Sequence, residues 1–268
     1  ALRDVTGTIN SIPLIAASIM SKKIASGADA IVLDVKAGSG AFMKTLEEAR
    51  LLAETMVQIG RNVGVKTVAV ITNMDQPLGH EVGNFNEVKE AVEILSGRGA
   101  EDEVEVALTI ASHMAVLGGA FQDFNTAWDR LREILCSGKA LEKFLELVKA
   151  QGGDPGFVAR RDSIHVAEFN IEIKSKSSGF VDSIAAQEIG RAAMLLGAGR
   201  KTKEDKIDFS AGVTMVRKTG EKVSAGDTLC ILHTNLKDFS EASKAAEDAY
   251  CIKTAAPAPL KYVYDVIT

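Results

Sequence analysis

The chain has 268 residues, 46% of them hydrophobic and 25% charged, with a formal net charge of −5. That length can bury a sizeable core without disulfides or structural metal, and the weak negative balance gives no electrostatic draw toward nucleic acid or acidic membranes. The three cysteines, Cys136, Cys230 and Cys251, form no CxxC pair, so neither a zinc site nor a disulfide framework is supported, and a reducing, cytoplasmic setting is expected. No run reaches the ~18 apolar residues of a membrane span, and no signal-peptide pattern is present. The sequence opens at Ala1-Leu2-Arg3-Asp4-Val5-Thr6 without an initiator Met and reads like the interior of a longer protein.

In chain order, residues 11–26 (SIPLIAASIMSKKIAS) predict an amphipathic helix, with Ser11 placed to cap it, Pro13 in its first turn and Gly27 to end it. Residues 30–35 (AIVLDV) form a short apolar run of the kind found in buried parallel strands. A Gly-rich stretch follows, then a helix from Thr45 to Asn62 opened by the capping box Thr45/Glu48, then a second strand over residues 66–72 (KTVAVIT). This strand–helix–strand unit predicts a parallel sheet with a right-handed crossover. Four helical stretches come next, Asn86–Leu95, Asp102–Leu117, Asn125–Cys136 and Lys139–Ala150, punctuated by Gly97, Gly118-Gly119, Gly138 and Gly152-Gly153.

From His165 the pattern changes to half-exposed strands: VAEFNIEIKS, GFVDSI, KIDFSAGVTMVRK, DTLCILHT and KYVYDVIT. Short helices at Gln187–Leu196 and Glu241–Asp248 interrupt them. The fold class expected is α/β: a piece of a parallel-sheet α/β domain with flanking helices, followed by a C-terminal α+β module. Pro155 and Arg160-Arg161-Asp162 mark the boundary between the two.

Three segments could carry chemistry. Ser18 and Lys22 are four apart on the first helix and share a face, and Arg3 precedes it. A hydroxyl, an ammonium and a planar guanidinium suit a flat ligand rich in carbonyl oxygens, such as a pyrimidine, although the same spacing also describes a plain polar helix face. Lys36-Ala37-Gly38-Ser39-Gly40 follows a strand, where glycines let backbone amides approach a ligand. It is neither GxGxxG nor a P-loop, and a tight strand-to-helix connection explains it equally well. Residues 73–90 (NMDQPLGHEVGNFNEVKE) form a polar loop whose carbonyls, with Glu90, could bind a hard cation through oxygen; a solvated loop is the simpler alternative. His80, His113, His165 and His233 have no metal-pair spacing, and His113 is expected in a core. The GEKVSAGD turn at 220–227 is similar to that of lipoyl- and biotin-carrier modules but has no evident modifiable lysine, and is read as structural.

Together, LRDVTGTINSIPLIAASIMSKKIASG at 2–27, DVKAGSGAFM at 34–43, TNMDQPLGHEVGNFNEVKEA at 72–91 and the stretch 179–234 resemble the thymidine and pyrimidine nucleoside phosphorylases along the whole chain. The resemblance implies part of a small helical dimerisation domain at 1–27, an incomplete central α/β domain at 28–159 and a C-terminal α+β domain at 160–268. It implies reversible phosphorolysis of pyrimidine nucleosides, thymidine with uridine and deoxyuridine, by a homodimer. Phosphate is the co-substrate, and there is no organic cofactor. Base binding falls on Arg3, Ser18 and Lys22, with Asp4 orienting Arg3. The later ligands of a potassium site fall on the carbonyls of Leu78 and Glu81 and the side chain of Glu90, and its earlier ligands would precede Ala1. The family's Gly- and Thr-rich phosphate loop, and the histidine thought to assist base departure, would precede Ala1. No phosphate-binding residue is therefore expected in this chain, which is expected to be inactive alone. A phosphoribosyltransferase-like enzyme or a non-catalytic binding module are the competing readings.

Overall fold

The computed structural model describes residues 11–200 and 202–268; Arg3 and Asp4 lie outside them. The described residues form two compact units. One comprises the residues up to Met74 with Glu105–Arg132 and Lys261–Thr268; the other comprises Asp75–Val104 and Glu133–Leu260. The units therefore interleave along the chain, whereas the resemblance implies consecutive blocks.

The first unit begins with helix α1 (Ile12–Ala25). Pro13 sits in its first turn as expected, but Ser11, although at the N-cap, makes no side-chain capping bond. Lys22 and Lys23 in the last turn complement the negative end of the helix dipole, and Gly27 follows at φ +75°. Ala16 and Met20 are fully buried. They lie in one apolar cluster with Leu52, Ala53 and Met56 of helix α2 (Leu46–Asn62) and with Ile31, Leu33 and Val35 of strand β1 (Ala30–Ala37).

Strand β2 (Lys66–Asn73) runs parallel to β1, in register from Ala30↔Lys66 to Ala37↔Asn73. Helix α2 supplies the crossover. Its capping box is formed as the sequence predicts: Glu48 N–H donates to Thr45 Oγ1 at 3.2 Å, and Thr45 N–H donates to Glu48 Oε2 at 3.3 Å. The buried stripe Ala49, Leu52, Ala53, Met56 and Gly60 follows helical spacing. At Gly60 a Cβ would stand 2.0 Å from Thr67 Oγ1, so only glycine lets the helix approach β2 this closely.

The third strand of this sheet comes from the far end of the chain. Strand β10 (Val263–Ile267) pairs antiparallel with β2, giving the order β1-β2-β10. Arg50 of α2 pairs with Asp265 at 2.7 Å. The KYVYDVIT segment is thus a strand as predicted, but its partner is the α/β sheet rather than the strands just before it.

The second unit carries helix α3 (Phe85–Leu95) and α6 (Lys139–Ala150), with the short α7 (Phe157–Arg160). Helices α4 (Glu101–Leu117) and α5 (Phe124–Cys136) each cross from one unit to the other along the chain. A four-stranded antiparallel sheet has the order β3-β6-β8-β4, from β3 (Glu81–Gly83), β6 (Gly212–Met215), β8 (Thr228–Thr234) and β4 (Phe169–Lys174). A three-stranded sheet has the order β7-β5-β9, from β7 (Lys222–Val223), β5 (Gly179–Ile184) and β9 (Tyr250–Lys253). Helix α8 (Ala186–Ala193) runs into a π-turn at Met194–Ala198, and α9 (Ser240–Ala249) lies against α8. Ala242, Ala245, Ala246 and Ala249 are all buried, and such small side chains let the two helices approach closely. The core behind them is built from Val181, Ile189, Leu196, Val213, Met215 and Leu232.

Within KIDFSAGVTMVRK only Gly212–Met215 is a strand. Asp208 diverts the earlier part, because its Oδ1 accepts from Ser210 N–H at 2.9 Å and from the Ser210 hydroxyl at 2.6 Å, a local turn that competes with sheet pairing.

Candidate functional site

On α1, Ser18 stands two residues from both Ala16 and Met20, so it lies across the helix from the face that those residues bury. Lys22, one turn on, shares Ser18's side and is exposed, while Ser18 is half-buried. Among the described residues, neither the Ser18 hydroxyl nor the Lys22 ammonium has a hydrogen-bond partner; the Ser18 carbonyl accepts from the Ser21 hydroxyl at 3.4 Å. The packing of α1 therefore turns this pair outward with its bonding capacity unspent.

The Gly-rich loop after β1 behaves differently. Gly38 N–H donates to the Met43 carbonyl at 3.0 Å, Gly40 N–H to the Met74 carbonyl at 2.9 Å, and Met74 N–H returns to the Ala37 carbonyl at 2.7 Å. The Lys44 ammonium donates to the Ser39 carbonyl at 2.7 Å. The amides of Gly38 and Gly40 are used by the protein itself, so this loop is a tight strand-to-helix connection rather than an anion cradle. Sequence reasoning missed a polar group at its base. Asp34 accepts from the Thr72 hydroxyl and pairs with the Lys36 ammonium at 2.8 Å, joining the C-terminal ends of β1 and β2.

The third segment is the most completely built. Glu90 of α3 accepts His80 N–H on Oε1 at 2.6 Å and Glu81 N–H on Oε2 at 3.0 Å, which fixes its carboxylate against the loop before β3. The Glu81 side chain turns away from it. It accepts from the Thr214 hydroxyl at 2.7 Å and from Asn86 Nδ2 at 3.1 Å, and burial still holds its carboxyl above the usual range.

Lys218 reaches the same loop. Its ammonium donates to the Pro77 carbonyl at 2.6 Å and to the Gly79 carbonyl, and it pairs with Asp102 at 3.0 Å. Met215 N–H donates to the His80 carbonyl at 2.7 Å. Of the carbonyls from 77 to 80, only that of Leu78 accepts no hydrogen bond among the described residues. Glu103 closes the cluster. Its Oε2 is buried without a donor, and burial, with the charges of Glu90, Asp102 and Glu87, pushes its carboxyl up to about 7. Nothing in the local sequence marks Lys218 or Glu103, since one reads as a turn lysine and the other as a first-turn helix acid.

His113 is half-buried against Phe124, with ring centroids 4.7 Å apart, and burial pushes its pKa down. The four histidines gather with no other ligand: among the described residues no group of three His, Cys, Asp or Glu side chains could hold a metal ion. Cys230 is buried, while Cys136 and Cys251 are exposed thiols. In the GEKVSAGD turn, Asp227 Oδ2 accepts Ser224 N–H at 2.9 Å and Gly226 takes φ +92°, while Gly226 N–H donates to the Ser175 carbonyl at 2.8 Å, tying the turn to the segment after β4. No helix among the described residues is long and apolar enough to cross a membrane.

Comparison with known proteins adds four findings. Residues 1–141 match the model of the glycosyl transferase family, a/b domain. Residues 180–253 match the pyrimidine nucleoside phosphorylase C-terminal domain. The whole chain aligns with the pyrimidine-nucleoside phosphorylase of Bacillus subtilis (strain 168) at 52% identity over 268 residues, and with that of Staphylococcus haemolyticus (strain JCSC1435) at 49%. It spans 62% of the length of each of these relatives.

Proposed function

The chain belongs to the pyrimidine nucleoside phosphorylase family of glycosyl transferases, and from that premise we propose that it carries the base-recognition part of an enzyme that reversibly phosphorolyses pyrimidine nucleosides. The observation that carries the reading is the outward Ser18–Lys22 pair, unpartnered among the described residues, on a helix inside a segment matched end to end by phosphorylases of that name. As the glycosidic bond breaks, negative charge collects on the carbonyl oxygens of the leaving base. An ammonium and a hydroxyl facing those oxygens, with the Arg3 guanidinium oriented by Asp4 as the third donor, stabilise the transition state more than the bound nucleoside. Phosphate is the attacking co-substrate at C1′, and no organic cofactor takes part. Thymidine, uridine and deoxyuridine are the substrates, and the products are the free base and the pentose 1-phosphate.

The loop before β3 fits a monovalent cation, potassium, held by the carbonyls of Leu78 and Glu81 and the carboxylate of Glu90. The donor set is all oxygen, the Leu78 carbonyl is unclaimed, and the buried Glu103 oxygen has no donor. Bound there, the ion would supply positive charge beside Glu90 and stiffen the loop. The intact enzyme works in the cytoplasm as a homodimer through a small helical domain to which the resemblance assigns residues 1–27, and Leu14 on α1 is 45% exposed. The test is release of free base from thymidine or uridine by the full-length protein, followed with and without phosphate. Phosphate-dependent release that collapses in Lys22→Ala is expected. A full-length protein that releases no base from any pyrimidine nucleoside overturns the reading.

A further inference from the structure

We propose that Lys218 is a positioning residue of the monovalent-cation site, a tethered ammonium that reserves the Leu78 carbonyl and the Glu90 carboxylate for an exchangeable ion. The inference rests on the cation reading given above. Lys218 lies in the turn between β6 and β7, where lysines are normally solvated, yet only 9% of it is exposed. A buried ammonium needs an oxygen for each of its three protons. Lys218 has three: the carbonyls of Pro77 and Gly79 and Asp102 Oδ2.

The choice of carbonyls is what matters. Pro77 and Gly79 flank Leu78, so the ammonium fixes the 77–78 and 79–80 peptide planes, which bracket the plane carrying the Leu78 carbonyl. Met215 N–H takes the next carbonyl, that of His80. Three of four successive carbonyls are thereby spent inside the protein, and the one left over is the carbonyl expected to coordinate the ion.

The charges divide in the same way. Lys218 neutralises Asp102, which also accepts Gly79 N–H at 3.3 Å. Among the described residues, neither Glu90 nor Glu103 has an ion-pair partner. Both carboxylates close over Gly79, where a Cβ would meet Glu103 Oε2 at 2.4 Å and Glu90 Oε2 at 2.6 Å. One cation is thus built in beside Asp102, and the Glu90 carboxylate remains without an ion-pair partner among the described residues.

The experiment follows thermal unfolding of the full-length protein as KCl replaces choline chloride at constant ionic strength. An ion that binds only the folded state raises the melting temperature with a measurable midpoint. The wild type is expected to respond and Glu90→Gln to lose the response. Lys218→Met is expected to move the midpoint at least tenfold toward higher potassium. A Lys218→Met protein that melts earlier but keeps or tightens the wild-type midpoint has lost only structure, and overturns the proposal while leaving the cation reading intact. If Lys218→Met does not fold, Asp102→Asn, which loosens the ammonium's carboxylate anchor, must move the midpoint the same way; an unmoved midpoint overturns the proposal. A wild type indifferent to potassium overturns the cation reading, and this inference with it.

Discussion

The outward side of α1 and the loop before β3 are both polar and belong to opposite types of site. On α1 the packing of Ala16 and Met20 presents Ser18 and Lys22 with no partner among the described residues. At the loop nearly every polar atom is already bonded: Glu90 holds two backbone amides, Lys218 holds two carbonyls and Asp102, and Thr214 holds Glu81. The difference separates what a site does from what keeps it in place. On the roles proposed above, Ser18 and Lys22 would meet a ligand with their bonding capacity free, whereas most groups of the loop are bonded before any ligand arrives. Substitutions in the two regions should therefore fail in different currencies, rate in one and stability in the other.

The sharpest separation is Lys22→Ala in the full-length protein. On the proposed role of Lys22 at the leaving base, loss of this charged donor is expected to lower kcat about 10²–10³-fold, with the melting temperature unchanged because the side chain is exposed. An unchanged kcat with a raised KM would show that Lys22 binds base and transition state alike.

Glu90→Ala is the converse. It strands the amides of His80 and Glu81, each at roughly 1–3 kcal/mol when buried. Chemical denaturation should show a loss of about 2–4 kcal/mol; a stable Glu90→Ala protein would mean that the loop is held by Lys218 alone. Ser18→Ala should cost about tenfold in kcat/KM, close to one neutral hydrogen bond, again without loss of stability.

The mildest effect concerns pH. Burial, aided by the charge of Lys89, holds the His233 pKa below its ordinary 6.5 in the folded protein. The unfolded chain then takes up its proton first as the pH falls through 6.5. The stability contributed is full above that value and is lost progressively below it, toward the folded pKa. His233 bonds Thr214 at 2.8 Å, and Thr214 bonds Glu81, so this acid loss belongs to the loop region. His233→Gln should flatten it in urea midpoints measured from pH 7 to 5; an unchanged slope would place the acid sensitivity elsewhere.

Legibility in the sequence follows the range of the interactions involved. The α2 capping box, the parallel β1–β2 pair and the helices from Phe85 to Ala150 were all readable, because each rests on spacing within a few residues or on a run of one pattern. The short strands Glu81–Gly83, Lys222–Val223 and Tyr250–Lys253 were not, since two to four residues carry no periodicity. Ser11 has the right residue type at the right place and still makes no cap. In the candidate site, Ser18 and Lys22 were visible as one helix side, but only the resemblance gave them a role. Lys218 was invisible in principle: its partners Pro77, Gly79 and Asp102 lie more than a hundred residues away, and burial of a turn lysine is a tertiary fact.

The return of β10 to β2 has a consequence for how the molecule is made. Val266 pairs with Val70 and Ile267 with Ala69, so the α/β sheet joins strands from near opposite ends of the chain. Contacts of such long sequence separation must wait for a large loop to close. During synthesis the edge of β2 that pairs with β10 is completed only once residues 263–267 have left the ribosome. Until then that edge is an open template for another strand, and a protein without residues 263–267 would keep it so permanently.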